Sequence, residues 1–199
     1  MRTGIFGGSF NPVHLGHLII TDRFRESLNL DKVLLVPSNI SPFKVGMKEE
    51  YAPASDRIAM LKLAFASVTY AEVDTFEITK AGISYSADTI EYLANKYAGA
   101  ELFFLIGEDQ AEKFSKWKTP RRIASLAQIC IAGRDLQTMV AKKIEETFAE
   151  IDVKPIQINS PIIEISSSEI RRRIRENKSI NFLTPPEVAD YIRTHKLYL

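Results

Sequence analysis

With 199 residues, of which 45% are hydrophobic and 26% charged, the chain is long enough to bury a substantial core within one globular domain. Its formal net charge of +1 and its pI near 7.8 argue against the uniformly basic surface that bulk binding to nucleic acid or to anionic membranes requires. No apolar run reaches the roughly 18 residues of a membrane-spanning helix, and the N-terminal TGIF is too short for a signal peptide. The single cysteine, Cys130, lies in an apolar run and forms no internal disulfide, so we expect it to be buried in a cytoplasmic protein.

Short apolar runs alternate with amphipathic segments along the chain. The apolar runs predict β-strands at residues 3–6, 32–37, 69–73, 101–107, 127–133 and 153–158. The amphipathic segments predict helices at 15–28, 55–66, 87–97, from 110 toward 124, and at 138–149, 167–176 and 186–195. This alternation favours an α/β fold, a Rossmann-like open parallel sheet with helices on both faces and a small C-terminal helical subdomain. We expect a single domain over residues 1–199, in which residues 160–199 are the helical portion.

The stretch GGSFNPVHLGH, from Gly7 to His17, follows the first strand and runs into the first helix. Gly7 and Gly8 let the backbone approach a ligand closely, and Pro12 stiffens the loop. Backbone N–H groups at the start of a helix favour an anion, and His14 and His17 can both face that anion from the first helical turn. The loop contains neither the dinucleotide-binding glycine pattern nor a P-loop, which argues against an NAD-dependent oxidoreductase and indicates another kind of phosphate site.

A second candidate phosphate motif is ISSSEIRRRI, from Ile165 to Ile174. Ser166 and Glu169 have the spacing of a capping box, so we expect a helix to begin here and to present free N–H groups. Ser167, Ser168 and Arg171 are then placed to hold phosphate oxygens through charge-assisted hydrogen bonds. The alternative is a solvated basic helix, which we expect for Arg172, Arg173 and Arg175.

Two further stretches carry candidate ligand contacts. In LFFLIGEDQ a strand ends at Gly107, and Asp109 follows where a carboxylate can hydrogen-bond ribose hydroxyls. The alternative for Asp109 is an N-cap of the next helix. Trp117, in FSKWK, is the only tryptophan, and by itself such a residue is more often part of a core than of a site.

Taken together, these motifs resemble a known family. GSFNPVHLGH is similar to the (H/T)xGH signature of the nucleotidyltransferase superfamily. With Asn11, Pro12 and His14 included, the stretch resembles the bacterial nicotinate-nucleotide adenylyltransferases. ISSSEIR resembles the ISSTxIR motif of that family, with Ser168 in place of the usual threonine, and LIGED resembles its LIGxD motif. In PSNISPFK, Phe43 stands where the family usually has histidine, while Lys44 keeps the positive charge. A phenylalanine can neither donate a proton nor form a hydrogen bond, so this chain lacks any such role of that histidine.

The resemblance implies specific roles for residues of this chain. The histidine loop would bind the triphosphate of ATP without a covalent enzyme intermediate, Trp117 would stack on a pyridine ring, and the Lys118 backbone and the loop around Tyr85 would hold a nicotinate carboxylate. The implied catalytic residues are His14, His17 and Arg171. The implied ATP-binding residues are Gly7, Gly8, Ser9, Phe10, His14, Gly16, His17, Gly107, Asp109, Ser167, Ser168 and Arg171. The implied mononucleotide-binding residues are Asn11, Lys44, Tyr85, Ser86, Asp109, Trp117 and Lys118. No protein residue is assigned to a metal, and Mg²⁺ is expected to bind through the phosphates of ATP.

The implied reaction transfers the adenylyl group of ATP to nicotinate mononucleotide and gives deamido-NAD and pyrophosphate. The sequence leaves open nicotinamide mononucleotide or another phosphomonoester as the acceptor, and a non-catalytic nucleotide-binding module as a different class of protein. The expected partners are ATP and nicotinate mononucleotide, with no nucleic acid and no membrane. A homo-oligomer is left open as well.

Overall fold

All six predicted strands form and build one sheet. The protein is represented by a computed structural model, which describes residues 1–40, 51–133, 139–161 and 163–199. Within this part every strand pair is parallel, and the order across the sheet is β3-β2-β1-β4-β5-β6. The strands are β1 (Arg2–Gly8), β2 (Lys32–Pro37), β3 (Ala71–Val73), β4 (Glu101–Gly107), β5 (Gln128–Gly133) and β6 (Ile156–Asn159).

Helices connect the strands and follow the last one. They are α1 (Leu15–Leu28), α2 (Ala54–Ala64), α3 (Phe76–Lys80), α4 (Ser86–Lys96), α5 (Glu108–Ala111), α6 (Pro120–Leu126), α7 (Met139–Ala149), α8 (Ser167–Arg175) and α9 (Pro186–Thr194). A short 3₁₀ turn (Phe114–Lys116) lies between α5 and α6. No helix in the described residues is long and apolar enough to cross a membrane.

The sheet is buried on both faces, which explains why its strands are apolar throughout. In β2, Val33 and Leu35 belong to one core cluster, while Leu34 and Val36 belong to the other. Residues of α1, α2, α8 and α9 complete the first cluster, and residues of α4, α6 and α7 complete the second. Helices therefore cover both faces, as in other doubly wound sheets. The C-terminal helices α8 and α9 share the first core with the strands. Cys130 is buried in that core as expected.

The prediction of one continuous helix from residue 110 toward 124 is wrong. The chain instead forms α5, the 3₁₀ turn and α6. Thr119 has a left-handed backbone with φ of 52°, and Pro120 occupies the first turn of α6. Proline lacks the N–H that an interior helical position needs, so the pattern is broken here and a new helix begins. Helix α3 is absent from the sequence prediction because five residues are too few to display a helical period.

Close packing of α1 on β1 fixes the start of the helix relative to the sheet. A Cβ atom on Gly4 would lie 2.6 Å from the ring of Phe24 and 2.7 Å from the side chain of Leu30. Any larger residue at position 4 would push α1 outward. The histidines at the start of α1 are therefore held at a set distance from the carboxyl end of β1.

The strand order reverses between β1 and β4. From β1 the chain proceeds to β2 and β3 on one side, and from β4 to β5 and β6 on the other. In open parallel sheets this reversal leaves a crevice beyond the carboxyl ends of the two central strands, where ligands bind. The loops that leave this crevice begin at Gly8 and Gly107, which are two of the predicted site residues.

Candidate active site

The loop between β1 and α1 is built over a buried aromatic side chain. Phe10 has a positive φ of 46°, and its ring packs against Phe6 and His17 with centroid distances of 5.6 Å and 4.9 Å. A Cβ atom on Gly8 would come within 3.2 Å of the Phe10 ring, so glycine permits this packing. Because the Phe10 side chain is buried, Phe10 can offer a ligand only its backbone.

The rings of the two loop histidines contact each other at a tilt of 35°. Their ring centroids are 3.7 Å apart, and the backbone N–H of His14 donates to Nδ1 of His17 at 3.1 Å. Burial lowers the pKa of His14 to about 4. Burial and the adjacent His14 also lower the pKa of His17 well below its usual value. Both rings are therefore neutral at pH 7, and His17, whose Nδ1 accepts a hydrogen bond, carries its proton on Nε2 as a donor.

The second phosphate motif lies directly against this loop. Ser166 caps α8 by accepting from the backbone N–H of Glu169 at 3.2 Å, as its spacing predicts. The Ser167 hydroxyl donates to the carbonyl of Pro12 at 2.8 Å. The start of α8 and the β1–α1 loop, which are 155 residues apart in sequence, therefore meet.

Arg171 joins the same two segments from a buried position. Its side chain is only 7% exposed, and it donates to the carbonyl of Asn11 at 2.8 Å and to the Ser168 hydroxyl at 3.3 Å. By contrast, Arg172 lies half-exposed on the same helix, where it pairs with Glu169 and Glu176. Arg171 therefore brings a positive charge to the base of the loop and also fixes the backbone of the loop.

Asn11 is part of the loop, and its side chain is buried. Its Oδ1 accepts hydrogen bonds from the backbone N–H of Ala52 at 3.0 Å and from the Tyr198 hydroxyl at 2.8 Å. The buried carboxamide thereby links the loop to the start of α2 and to the end of the chain. Its contact with a mononucleotide stays a prediction, as does that of Lys44, which lies outside the described residues.

Arg57 is a buried residue of this region that the sequence analysis missed. Its guanidinium is 3% exposed and donates to the carbonyls of Ser9 at 2.8 Å, Ser38 at 2.7 Å and Ala52 at 3.3 Å. It ties the end of β1 to the end of β2 and adds positive charge behind the loop. One signal was present, because position 57 has the helical spacing of the buried α2 residues Met60, Leu61 and Ala64.

A cleft of about 370 Å³ opens beside the loop, at the carboxyl ends of β1 and β4. It extends between the start of α4 and the connection from β4 to α6. Its lining includes eight of the predicted site residues, namely Gly7, Gly8, Ser9, Tyr85, Ser86, Asp109, Trp117 and Lys118. Among the described predicted residues, those that do not line it are Phe10, Asn11, His14, Gly16, His17, Gly107, Ser167, Ser168 and Arg171. The site therefore has two parts, the cleft and the histidine loop beside it.

The geometry around Gly107 places Asp109 in the cleft. Gly107 is the N-cap residue of α5, so the alternative in which Asp109 caps this helix is wrong. A Cβ atom on Gly107 would lie 2.8 Å from Oδ1 of Asp109. Glycine at this position therefore leaves room for the Asp109 carboxylate to fold back over the end of β4.

Trp117 forms one wall of the cleft and also packs against the core. Its ring contacts Phe114 and Phe104 with centroid distances of 5.1 Å and 6.2 Å, and it remains half-buried. The ammonium of Lys118 lies 4.6 Å from the ring centroid of Tyr85 and 3.2 Å from Oδ1 of Asp88. The two walls of the cleft are thereby joined at its rim.

Glu77 is a second residue of the site that the sequence analysis missed. Glu77 lines the cleft although the residue is only 9% exposed. It lies on α3, the helix that the sequence pattern does not predict. Nothing in the local sequence distinguishes it from a solvated glutamate.

The described residues contain no group of three or more His, Cys, Asp or Glu side chains that could hold a metal ion. The titratable groups of the site are instead dispersed. His14 and His17 are at the loop, Glu77 and Asp109 are in the cleft, and Arg171 is beneath the loop.

The fold places two candidate phosphate-binding motifs at the crevice of a parallel sheet, which is the arrangement expected of a nucleotide-binding α/β protein. Residues 5–173 match the cytidylyltransferase-like family. A probable nicotinate-nucleotide adenylyltransferase of Thermomicrobium roseum is 37% identical to the chain, over 99% of this chain and 91% of that protein. Another, from Caldicellulosiruptor saccharolyticus, is 36% identical over 100% and 99%. The chain belongs to the cytidylyltransferase-like family and, within it, to the nicotinate-nucleotide adenylyltransferases, so it is a nucleotidyltransferase.

Solved structures share the fold at lower sequence identity. Plasmodium falciparum nicotinic acid mononucleotide adenylyltransferase complexed with NaAD superposes with a TM-score of 0.79 at 19% identity, over 99% of this chain and 97% of that one. A putative nicotinate-nucleotide adenylyltransferase from Vibrio parahaemolyticus gives a TM-score of 0.70 at 20% identity, over 100% and 96%. The Rossmann-like parallel sheet expected from the sequence is thus confirmed.

Proposed function

We propose that the protein transfers the adenylyl group of ATP to nicotinate mononucleotide, as a step in the biosynthesis of NAD. One observation carries this proposal above the others. The histidine loop and the start of α8 meet at the strand reversal, beside a cleft that is lined by the only tryptophan of the chain. Two phosphate-bearing substrates can meet where these two parts join.

The acceptor needs no protein base in this reaction. The second pKa of a phosphate monoester is roughly 6, so the 5′-phosphate of the mononucleotide is mostly a dianion at neutral pH. One of its oxygens attacks the α-phosphorus of ATP, and the bond between that phosphorus and the oxygen bridging to the β-phosphorus breaks. Pyrophosphate leaves with the electron pair. The protein supplies in-line placement and stabilises the charge that develops on the leaving group.

The histidine loop and α8 are the part that we assign to the phosphates of ATP. His14 and His17 are neutral, so they act as hydrogen-bond donors, and Nε2–H of His17 is the group that can donate. Backbone N–H groups at the starts of α1 and α8 add partial positive charge. Arg171 adds a full charge from beneath the loop. Lys44, which lies outside the described residues, remains a proposed further contact.

The cleft is the part that we assign to the mononucleotide. Its aromatic wall, Trp117, offers a flat face on which a pyridine ring can stack. Tyr85, Ser86 and Lys118 line the same space, where the resemblance assigns the Lys118 backbone to the nicotinate carboxylate, and the Asp109 carboxylate can accept from ribose hydroxyls. These roles follow the resemblance and are consistent with the positions of the residues.

We further propose that Mg²⁺ accompanies ATP and binds through its phosphates, because the described residues hold no metal-binding cluster of their own. When bound, it would neutralise phosphate charge during transfer.

We also propose that residues 1–199 act as one domain, since α8 and α9 share a core with the strands. A cytoplasmic location is proposed from the single buried cysteine, and oligomerisation is left to measurement.

The test is release of pyrophosphate from ATP and Mg²⁺ with nicotinate mononucleotide or nicotinamide mononucleotide in separate reactions. We expect formation of deamido-NAD and a kcat/KM at least about tenfold higher for nicotinate mononucleotide, because the amide lacks the negative charge and replaces one of the two acceptor oxygens with an NH₂ donor. A reaction without mononucleotide is the control for ATP hydrolysis. Turnover of nicotinamide mononucleotide alone would replace the proposed acceptor, and no turnover with either compound would favour a non-catalytic module.

A further inference from the structure

Glu77 is buried at the wall of the cleft, and its carboxyl group accepts hydrogen bonds from side chains in and just before α4. The hydroxyl of Thr89 donates to Oε1 of Glu77 at 2.6 Å. The side chain of Ser84 also hydrogen-bonds to this carboxylate. Burial of a carboxylate costs free energy unless hydrogen-bond donors satisfy it. The two hydroxyls of Ser84 and Thr89 offset that cost only in their present positions.

The two donors flank the residues that are proposed to meet the pyridine. Ser84 and Thr89 lie on either side of Tyr85 and Ser86, and all four residues line the cleft. The Ser84 oxygen also accepts from the backbone N–H of Asn39 at 2.9 Å, which directs its own hydroxyl proton toward another acceptor. Glu77 therefore holds the segment before α4 and the first turn of α4 at once.

Charged groups from each neighbouring element surround this network. Burial raises the pKa of the Glu77 carboxyl, and Asp88 on α4 acts in the same direction, while Lys80 on α3 opposes it. Lys80 and Lys118 both pair with Asp88, and Lys118 comes from the opposite wall of the cleft. Protonation of Glu77 would turn one acceptor oxygen into a donor and weaken its hold on the two hydroxyls.

We propose that Glu77 is a positioning residue for the mononucleotide, whose carboxylate holds Tyr85 and Ser86 in the geometry that receives the pyridine end of the substrate. This inference rests on the proposed function. Glu77 acts through Ser84 and Thr89 and on the cleft side of the site. Loss of its carboxylate should therefore weaken binding of the mononucleotide and leave binding of ATP largely unaffected.

The test compares Glu77→Gln, Glu77→Ala and Thr89→Val with wild type. Glu91→Gln is the matched control, because Glu91 lies exposed on α4 and pairs only at the surface with Arg122. We expect the KM for nicotinate mononucleotide to rise about tenfold in the three variants, which is what loss of a hydrogen bond to a charged group produces. The KM for ATP should stay within about twofold. Thr89→Val keeps the inference testable if either Glu77 variant fails to fold.

Two further readouts separate positioning from general loosening. Trp117 is the only tryptophan, so its fluorescence reports mononucleotide binding at the cleft without ATP or turnover. As the pH falls through the raised pKa of Glu77, the KM for the mononucleotide in wild type should rise toward that of Glu77→Gln, and the ratio of the two should approach one. Titration of the mononucleotide itself affects both proteins equally and cancels in this ratio.

The outcomes are distinguishable. An unchanged mononucleotide KM in folded variants of an active enzyme would overturn this inference alone, as would equal rises in both KM values or a ratio that does not vary with pH. A wild-type protein that turns over neither mononucleotide would instead overturn the proposed function, and this inference with it. A selective, pH-dependent loss of mononucleotide affinity would support it.

Discussion

The guanidinium of Arg171 donates to the carbonyl of Asn11 at 2.8 Å, across 160 residues of sequence. This hydrogen bond joins α8 to the histidine loop, so one side chain both fixes the backbone of the candidate phosphate site and adds a positive charge to it. A lysine at this position would keep the charge but would lose the planar fork that reaches Asn11 and Ser168 together.

Replacement of Arg171 by lysine should therefore lower kcat/KM for ATP by roughly tenfold to 100-fold, and Arg171→Ala should lower it further. Steady-state assays at saturating mononucleotide measure the effect. The control is Arg172→Gln on the same helix, whose half-exposed side chain pairs only with Glu169 and Glu176. If Arg171→Ala kept wild-type kcat/KM, Arg171 would have no part in the phosphate site.

His17 should matter for transfer more than for binding. Replacement by alanine removes the only proton that its ring can donate, because Nδ1 is already occupied by the backbone N–H of His14. We expect kcat to fall by roughly 100-fold or more, as for removal of other donors to a developing anion. Rapid-quench or steady-state assays measure it, and circular dichroism checks the fold.

The third histidine provides the control for this experiment. His195 lies exposed at the end of α9 and stacks on Tyr191, away from the cleft lining. His195→Ala should keep full activity. Retention of full activity by folded His17→Ala would remove His17 from the mechanism.

Much of the site could be predicted from sequence because its motifs are local. Glycines, a proline and histidines between a strand and a helix indicate a phosphate loop. The serines and glutamate of SSSEIR predict the N-cap of a helix. Both motifs follow strands of one parallel sheet, so both are expected at the edge formed by the carboxyl ends of the strands. Their direct contact could not be predicted in this way, because α8 follows β6, which β4 and β5 separate from β1. Trp117 illustrates the limit, because the sequence offers core or site as alternatives and the side chain packs on Phe114 while also lining the cleft.

Arg57 and Glu77 escaped prediction for a different reason. Each is a charged residue on a helix, and charge usually marks the solvated face. Their burial depends on partners distant in sequence or on a helix too short to show a period, namely the Ser9 and Ser38 carbonyls for Arg57 and α3 for Glu77. Such contacts arise only when the tertiary fold is complete.

Acidification should destabilise the protein through His14. Its pKa is about 4 in the folded state and near 6.5 when exposed, so between these values the unfolded chain binds a proton that the folded chain does not. The free energy of unfolding should then fall by up to about 1.4 kcal/mol for each pH unit below 6.5. His17, whose pKa is also lowered, acts in the same direction.

Urea unfolding of wild type and of His14→Gln, measured from pH 7 down toward the His14 pKa of about 4, isolates this contribution. The stability difference between wild type and variant should shrink as the pH falls, while groups away from His14, including Glu77 with its raised pKa, cancel in the comparison. His17 adds to the change in the same direction, because His14 helps to lower its pKa in wild type and not in the variant. His195→Gln should follow wild type throughout. A difference that stays constant with pH would mean that His14 titrates normally in the folded state.

Arg57 should contribute to both stability and phosphate binding. Arg57→Met keeps much of the side-chain volume but leaves the carbonyls of Ser9, Ser38 and Ala52 without this donor, so the free energy of unfolding should fall by about 3 kcal/mol. Because Ser9 and Ser38 directly follow β1 and β2 and line the cleft, kcat/KM should fall as well, by roughly tenfold. Lys62→Met, at an exposed position of the same helix, is the matched control. Denaturant unfolding and steady-state assays on both variants test this prediction. Equal free energies of unfolding and equal kcat/KM values for the two variants would show that the buried guanidinium stabilises neither the fold nor the site.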